Sequence, residues 1–346
     1  MRGVVFREAG AVGVVDVPEP SIEDPGDAIL RVTRTAICGS DLHLYHRKAP
    51  IEPGEILGHE AVGIVEAVGA GVERFRPGGR AVAAFVVACG SCWFCGNGQT
   101  SLCDDLRMPG TGIFGGSLPG TQAQRVRVPR ADFNLLGVPE GVDDERALFA
   151  GDVLTTGYYA ASSAGITGED VVAVIGAGPV GYCAAIAAKA IGARHVVVLD
   201  RDPQRLSLAA GAGLEAVDVS SRHPSSAVAE LTDDRGADVA IEAVGTPEAY
   251  STAVDVVRRG GTVVVVGMFA GESVELQLGV YWARGITVRF AGICPVHAWW
   301  EPVMAELAAG GLDPTPLVSH RLSLEDAPEG YRLFDRREAS KVVLIP

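Results

Sequence analysis

The sequence predicts an α/β protein in which a doubly wound, six-stranded parallel sheet is inserted into a β-rich domain. Three observations carry this. From Gly168 onward, apolar strand-like segments open near Val171, His195, Ala216, Asp238, Thr262 and Ile286, mostly about 24 residues apart, the rhythm of repeated strand–helix units. Before residue 150 the chain reads instead as short strands broken by Gly and Pro turns. After Phe290 it passes through two helical stretches and returns to strand at Lys341-Val-Val-Leu-Ile, so that the tail completes the first domain. The expected boundaries are 1–153 with 294–346 for the β-rich domain and 154–293 for the inserted one.

Composition fits two domains of ordinary size: 346 residues, 48% hydrophobic, 21% charged, 44 glycines. No apolar run reaches the roughly 18 residues that span a bilayer. The opening MRGVVFREAG lacks a signal-peptide core, so a cytoplasmic location is the expectation. A formal charge of −14, with no run of Lys and Arg longer than two, argues against nucleic acid or an anionic membrane as partner.

In order, Gly3-Val-Val-Phe, Gly13-Val-Val-Asp-Val and Asp27–Thr35 read as strands, the last with period-2 alternation. Next comes Cys38-Gly-Ser40-Asp41-Leu-His43, a loop, and Gly58-His59-Glu60-Ala-Val-Gly63. Cys38 offers a thiolate and His59 an imidazole, ligands that suit zinc. Their wide separation fits two converging loops of a catalytic site, which needs one more protein ligand. Strand-like Gly63–Gly69 and Arg80–Phe85 follow.

Four of the seven cysteines, Cys89, Cys92, Cys95 and Cys103, fall within 15 residues. This spacing wraps one ion tetrahedrally in a closed site with no room for substrate. Its expected role is to staple a lobe at about 86–106 that has little core of its own. Asp152 stands in an apolar, small-residue run, Ala147–Ala160, where a buried carboxylate needs a partner. A metal and a helix N-cap are equally good candidates on spacing alone.

Val171–Ile175 feeds Gly176-Ala-Gly178-Pro179-Val180-Gly181 and then an Ala-rich helix; the next strand ends at Asp200. Strand, glycine turn, helix and acidic residue together form the dinucleotide-binding fingerprint of a Rossmann sheet. Asp200 is placed to bond the ribose hydroxyls and repel a 2′-phosphate, which favours NAD(H) over NADP(H). Arg201 beside it is a candidate phosphate partner. The strand ends at Ala243-Val244-Gly245 and Val266-Gly267-Met268-Phe269 fall at the carboxyl edge, where a nicotinamide would rest.

Jointly these stretches resemble the zinc-dependent medium-chain alcohol dehydrogenases over essentially the whole chain. The resemblance implies a GroES-like catalytic domain around the Rossmann domain, two zinc ions per chain, and a homotetramer or homodimer. It makes Asp152, four residues before Thr156-Gly-Tyr, the third ligand of the catalytic zinc with Cys38 and His59. By position Lys341 matches a basic residue that approaches the pyrophosphate, and Phe85 a substrate-pocket aromatic.

The implied reaction passes a hydride between a primary or secondary alcohol and NAD⁺, with zinc lowering the hydroxyl pKa. Ser40 would accept the hydroxyl proton and pass it through the nicotinamide ribose to a solvent-facing His43. Glu60 is either a partner behind the ligands or a transient fourth ligand. Pocket walls near Phe85, Ile113, Phe114, Met268 and Trp299 are apolar and disfavour polyols. Polyol, threonine-type or formaldehyde dehydrogenases keep the same zinc and cofactor and are the alternatives. A non-catalytic NAD-binding paralogue would show degraded zinc ligands, which this sequence does not.

Overall fold

A computed structural model describes residues 1–111, 118–269 and 273–346 of the chain. They form two compact units, Met1–Asp152 with Pro295–Pro346, and Val153–Cys294. The strands are β1 (Arg2–Glu8), β2 (Ala11–Asp16), β3 (Ala28–Ile37), β4 (Ala61–Val68), β5 (Arg80–Ala83), β6 (Arg125–Val128), β7 (Leu135–Gly137), β8 (Val171–Ile175), β9 (His195–Asp200), β10 (Glu215–Asp218), β11 (Ala237–Glu242), β12 (Val257–Val265), β13 (Thr287–Phe290), β14 (His320–Ser323) and β15 (Val342–Ile345).

In the first unit the main sheet runs β14-β15-β3-β4-β5-β7, with β6 also pairing with β3. The C-terminal return to strand is seen directly: β15 lies antiparallel to β3 with Val342 opposite Ile37. Phe6, Ile37, Leu57, Tyr331 and Phe334 pack into one core, and Leu30, Val65, Phe75 and Leu135 into a second. Register then decides where the site forms. β4 is antiparallel to β3 with Ala61 opposite Thr35, and β5 is antiparallel to β4 with Ala83 opposite Ala61. The end of β3, the start of β4 and the end of β5 therefore meet at one edge. The expected strand from Arg80 stops at Ala83, and Phe85 lies in the turn beyond, its N–H bonded to Gly151 O at 3.1 Å.

The second unit is a parallel sheet of order β10-β9-β8-β11-β12-β13, the doubly wound arrangement expected from the strand rhythm. β8 is buried along its whole length, because a central parallel strand is covered on both faces. The helix after it begins at Pro179 rather than Tyr182, with proline at the first helical position where no N–H is needed. No helix among the described residues is long and apolar enough to cross a membrane.

Candidate active site

At that shared edge of the first unit, Cys38 sits one residue beyond β3 and His59 and Glu60 sit just ahead of β4. Asp152 follows the helix Asp144–Ala150. Their ligand atoms all lie within 4.8 Å of one another. Asp152 Oδ2 is 3.4 Å from His59 Nε2 and 3.9 Å from Cys38 Sγ. Ligands about 2.1 Å from a tetrahedral ion are about 3.4 Å apart, and a thiolate–carboxylate edge is slightly longer. His59, Glu60 and Asp152 are buried. Nε2 is the nitrogen that faces the cluster, since Nδ1 lies 3.3 Å from Asp41 Oδ1. A carboxylate behind a ligating imidazole orients the ring and fixes its tautomer.

Charge makes the same point. Burial alone would push the His59 imidazole below 6.5, but the charge of Asp41 and hydrogen bonds to Asp152, Asp41 and Cys38 hold it well above. A site that draws a proton onto its histidine is short of positive charge, and a divalent cation supplies it. Among the described residues Glu60 Oε2 is buried without a hydrogen-bond partner, an oxygen that a cation would satisfy. The donor set of thiolate, imidazole and carboxylate fits zinc.

Cys89, Cys92, Cys95 and Cys103 form the second cluster, also with ligand atoms within 4.8 Å. Cys89 and Cys95 sulfurs are 3.9 Å apart; two thiolates at about 2.3 Å from one zinc would lie about 3.8 Å apart. Backbone N–H groups of Ser91 and Cys92 point at Cys89 Sγ, and those of Cys89 and Asp105 at Cys103 Sγ. Despite burial, these bonds bring Cys89 down to about 6, while burial pushes Cys95 and Cys103 up. Four thiols cannot all ionise side by side without a cation, and zinc meets that need.

In the second unit, Gly176 has φ +94° and a Cβ on Gly181 would lie 1.9 Å from Gly176 O, so helix and loop approach as only glycine allows. Gly178 caps the helix without a side chain, which leaves its first N–H groups to an anion. Asp200 ends β9 and accepts from the N–H of Ala177 at 2.6 Å, Arg201 at 2.7 Å and Asp202 at 2.9 Å, so the acid and the glycine loop are braced together. Val244 and Met268 are exposed at the carboxyl ends of β11 and β12. These residues fit a dinucleotide.

Residues 24–140 match the alcohol dehydrogenase GroES-like domain and residues 179–309 the zinc-binding dehydrogenase domain. The chain belongs to the zinc-dependent medium-chain alcohol dehydrogenase family. It is 43% identical to the alcohol dehydrogenase TADH from Thermus sp. ATN1, covering 100% of this chain and 99% of that one with a TM-score of 0.96. An uncharacterised zinc-type alcohol dehydrogenase-like protein of Bacillus subtilis is 36% identical over 100% of both chains. An L-threonine 3-dehydrogenase of Photorhabdus laumondii is 33% identical over 96% of both.

In this member of the family the other expected residues fall as follows. Ser40 precedes the helix Asp41–Tyr45 but makes no side-chain cap; its Oγ is 3.4 Å from His59 Nε2, beside the cluster. His43 is half-buried rather than solvent-facing, and burial followed by Lys48 and His46 pulls it below 6.5. Phe85 is buried with its ring centroid 6.4 Å from that of His59. Trp299 is partly buried on the helix Val296–Ala309, and Ile113 and Phe114 lie outside the described residues. Lys341 corrects the expectation of a pyrophosphate contact. It is fully buried, and its ammonium stands 2.5 Å from Glu60 Oε1. Burial opposes its charge, but Glu60 and Cys38 outweigh that and hold it above its ordinary value. Asp41 has no role that the sequence alone assigns. An acid three residues after the thiolate was the available signal.

Proposed function

We propose that the chain is an NAD-linked alcohol dehydrogenase that moves a hydride between a primary or secondary alcohol and NAD⁺, giving an aldehyde or ketone. The observation that carries this reading is the cluster of Cys38, His59, Asp152 and Glu60 with the Ser40 hydroxyl beside it. Zinc, when bound, would polarise the alcohol and lower its pKa, and the nucleotide would take the hydride. Cys38, His59 and Asp152 hold the metal. Glu60, with one oxygen on Lys341 and the other without a hydrogen-bond partner among the described residues, stands as a further carboxylate beside it. Ser40 takes the hydroxyl proton, and His43, a free base at neutral pH, relays it outward. Cys89, Cys92, Cys95 and Cys103 carry a structural zinc.

Gly176, Gly178, Pro179, Val180 and Gly181 receive the pyrophosphate. The Asp200 carboxylate disfavours a 2′-phosphate, which supports NAD(H), with exposed Arg201 as its counterweight. Ala243, Val244, Gly267 and Met268 border the nicotinamide. Phe85 and Trp299 make an apolar substrate wall. A homodimer or homotetramer is supported by β13, which ends its sheet among the described residues, and by exposed apolar side chains on it and on the helix before it, Phe290 at 64% and Trp282 at 87%. A cytoplasmic location completes the reading.

A threonine-type substrate is the second reading, favoured by the L-threonine 3-dehydrogenase likeness. The deciding experiment is a metal count with NADH formation on primary and secondary alcohols, L-threonine and a polyol. Two zincs per chain and turnover of simple alcohols are expected. Turnover of L-threonine alone would favour the second reading, and no turnover in the zinc-loaded protein would end both.

A further inference from the structure

We propose that Gln122 and Tyr331 are positioning residues for the zinc cluster, acting through the Asp41 carboxylate that holds both Cys38 and His59. The inference rests on the zinc reading above and concerns side chains outside the ligand set.

Asp41 is fully buried. Its Oδ2 accepts from the Cys38 backbone N–H at 2.9 Å and from Gln122 Nε2 at 3.1 Å. Its Oδ1 faces His59 Nδ1 at 3.3 Å and has no other partner among the described residues. One carboxylate thus spans both ligand-bearing turns, and its rotation sets where the imidazole rests. Carboxylate torsions are broad when unrestrained. Two donors on one oxygen narrow this one, and Gln122 is the second donor.

The Gln122 amide is fully committed. Nε2 donates to Ala36 O and to Asp41 Oδ2, each at 3.1 Å. A flipped amide would turn its oxygen on those two acceptors, so the orientation is determined. The oxygen that remains, Oε1, needs a donor in a fully buried position, and the Tyr331 hydroxyl supplies it at 2.9 Å. Burial and the charge of Asp41 push the Tyr331 phenol well above its ordinary value, so it stays protonated and able to donate.

Gln122 also grips the second turn. Its N–H bonds Leu57 O at 2.9 Å, and Thr121 N–H bonds Gly58 O at 2.9 Å. Gly58, the residue before His59, has φ +91°, and a Cβ there would lie 2.5 Å from Gln122 Cγ. Tyr331 comes from the helix Ala327–Asp335 and stacks on Tyr45 of the Asp41–Tyr45 helix, centroids 5.4 Å apart. The C-terminal segment therefore braces the metal ligands through a chain of three side chains.

The test compares the wild type with Tyr331→Phe, which removes one hydroxyl and keeps the stacked ring, and Gln122→Glu, which keeps shape and reverses one end of the amide. Metal release to a chelator is followed for both zincs, and the absorption bands of the Co²⁺-substituted cluster are recorded. Tyr331→Phe should release one of the two metals roughly tenfold faster, the lower end for residues behind a ligand. Gln122→Glu should release it faster still, with shifted Co²⁺ bands, while the Cys₄ metal leaves at the wild-type rate. The double variant should be no faster than Gln122→Glu alone. Wild-type release and spectra in both variants would overturn the proposal, as would equal acceleration at both sites, the mark of general loosening. If Tyr331→Phe does not fold by near-ultraviolet circular dichroism, Gln122→Glu decides. A wild type with no metal that Cys38→Ser removes would instead overturn the zinc reading, and this proposal with it.

Discussion

Lys341 Nζ stands 2.5 Å from Glu60 Oε1, with both side chains sealed from solvent at 1% and 0% exposure. A charge pair buried this deeply sits one residue from His59, the proposed zinc ligand, so its integrity bears on both stability and the site. Removing one member leaves the other charge uncompensated, which costs about 3–5 kcal/mol. Lys341→Met should lose that much in urea denaturation, while Lys341→Met with Glu60→Leu should recover most of it. A loss below about 1 kcal/mol in the single variant would mean the pair is not the anchor it looks.

Asp152→Ala removes the carboxylate shared by Cys38 and His59. Turnover should vanish and zinc content should fall by about one per chain, with NADH affinity by fluorescence largely retained. Full activity in this variant would refute the ligand assignment.

His43 lies below 6.5 because of burial, Lys48 and His46, so it is the free base at neutral pH. His43→Gln should slow alcohol oxidation near neutral pH more than at high pH, where hydroxide accepts the proton instead. A uniform loss across the pH–rate profile would show that the imidazole is no relay.

His297 is held at about 3 by burial. Its ring lies between Thr100 Oγ1 at 3.0 Å and Asn134 Oδ1 at 2.9 Å and stacks on Phe133. The unfolded chain takes up a proton there near pH 6.5 and the folded chain does not, so the unfolded state binds more protons between these values. Stability is full above about pH 6.5 and falls as the pH drops toward 3, by up to about 1.4 kcal/mol per unit. His297→Gln should flatten that slope in denaturation between pH 6 and pH 4. An unchanged slope would assign the acid sensitivity to other groups.

Much of this molecule was written locally. The doubly wound sheet followed from strand spacing, and the Cys₄ lobe and the glycine loop followed from short motifs whose chemistry admits few readings. Residue type made Cys38 and His59 candidate zinc ligands, but one thiolate and one imidazole prove little until the rest of the chain is read with them. Asp152 was not marked in this way, since a lone acid in an apolar run serves a cap as well as a metal; resemblance named it, and the turn after the helix Asp144–Ala150, tied through Gly151 O to the Phe85 N–H, brings it beside the others.

What only the tertiary structure decided are the partnerships that support those ligands. Lys341 meets Glu60 across 281 positions and Tyr331 meets Gln122 across 209. Neither spacing leaves a periodic trace, because hydrophobic pattern encodes which face is buried and not which buried polar groups will meet. The residue types were thus set by sequence, while the pairing of buried charge with charge and donor with acceptor was settled when β15 and the helix Ala327–Asp335 closed onto β3. There, away from water, each polar atom had to find its partner within the protein.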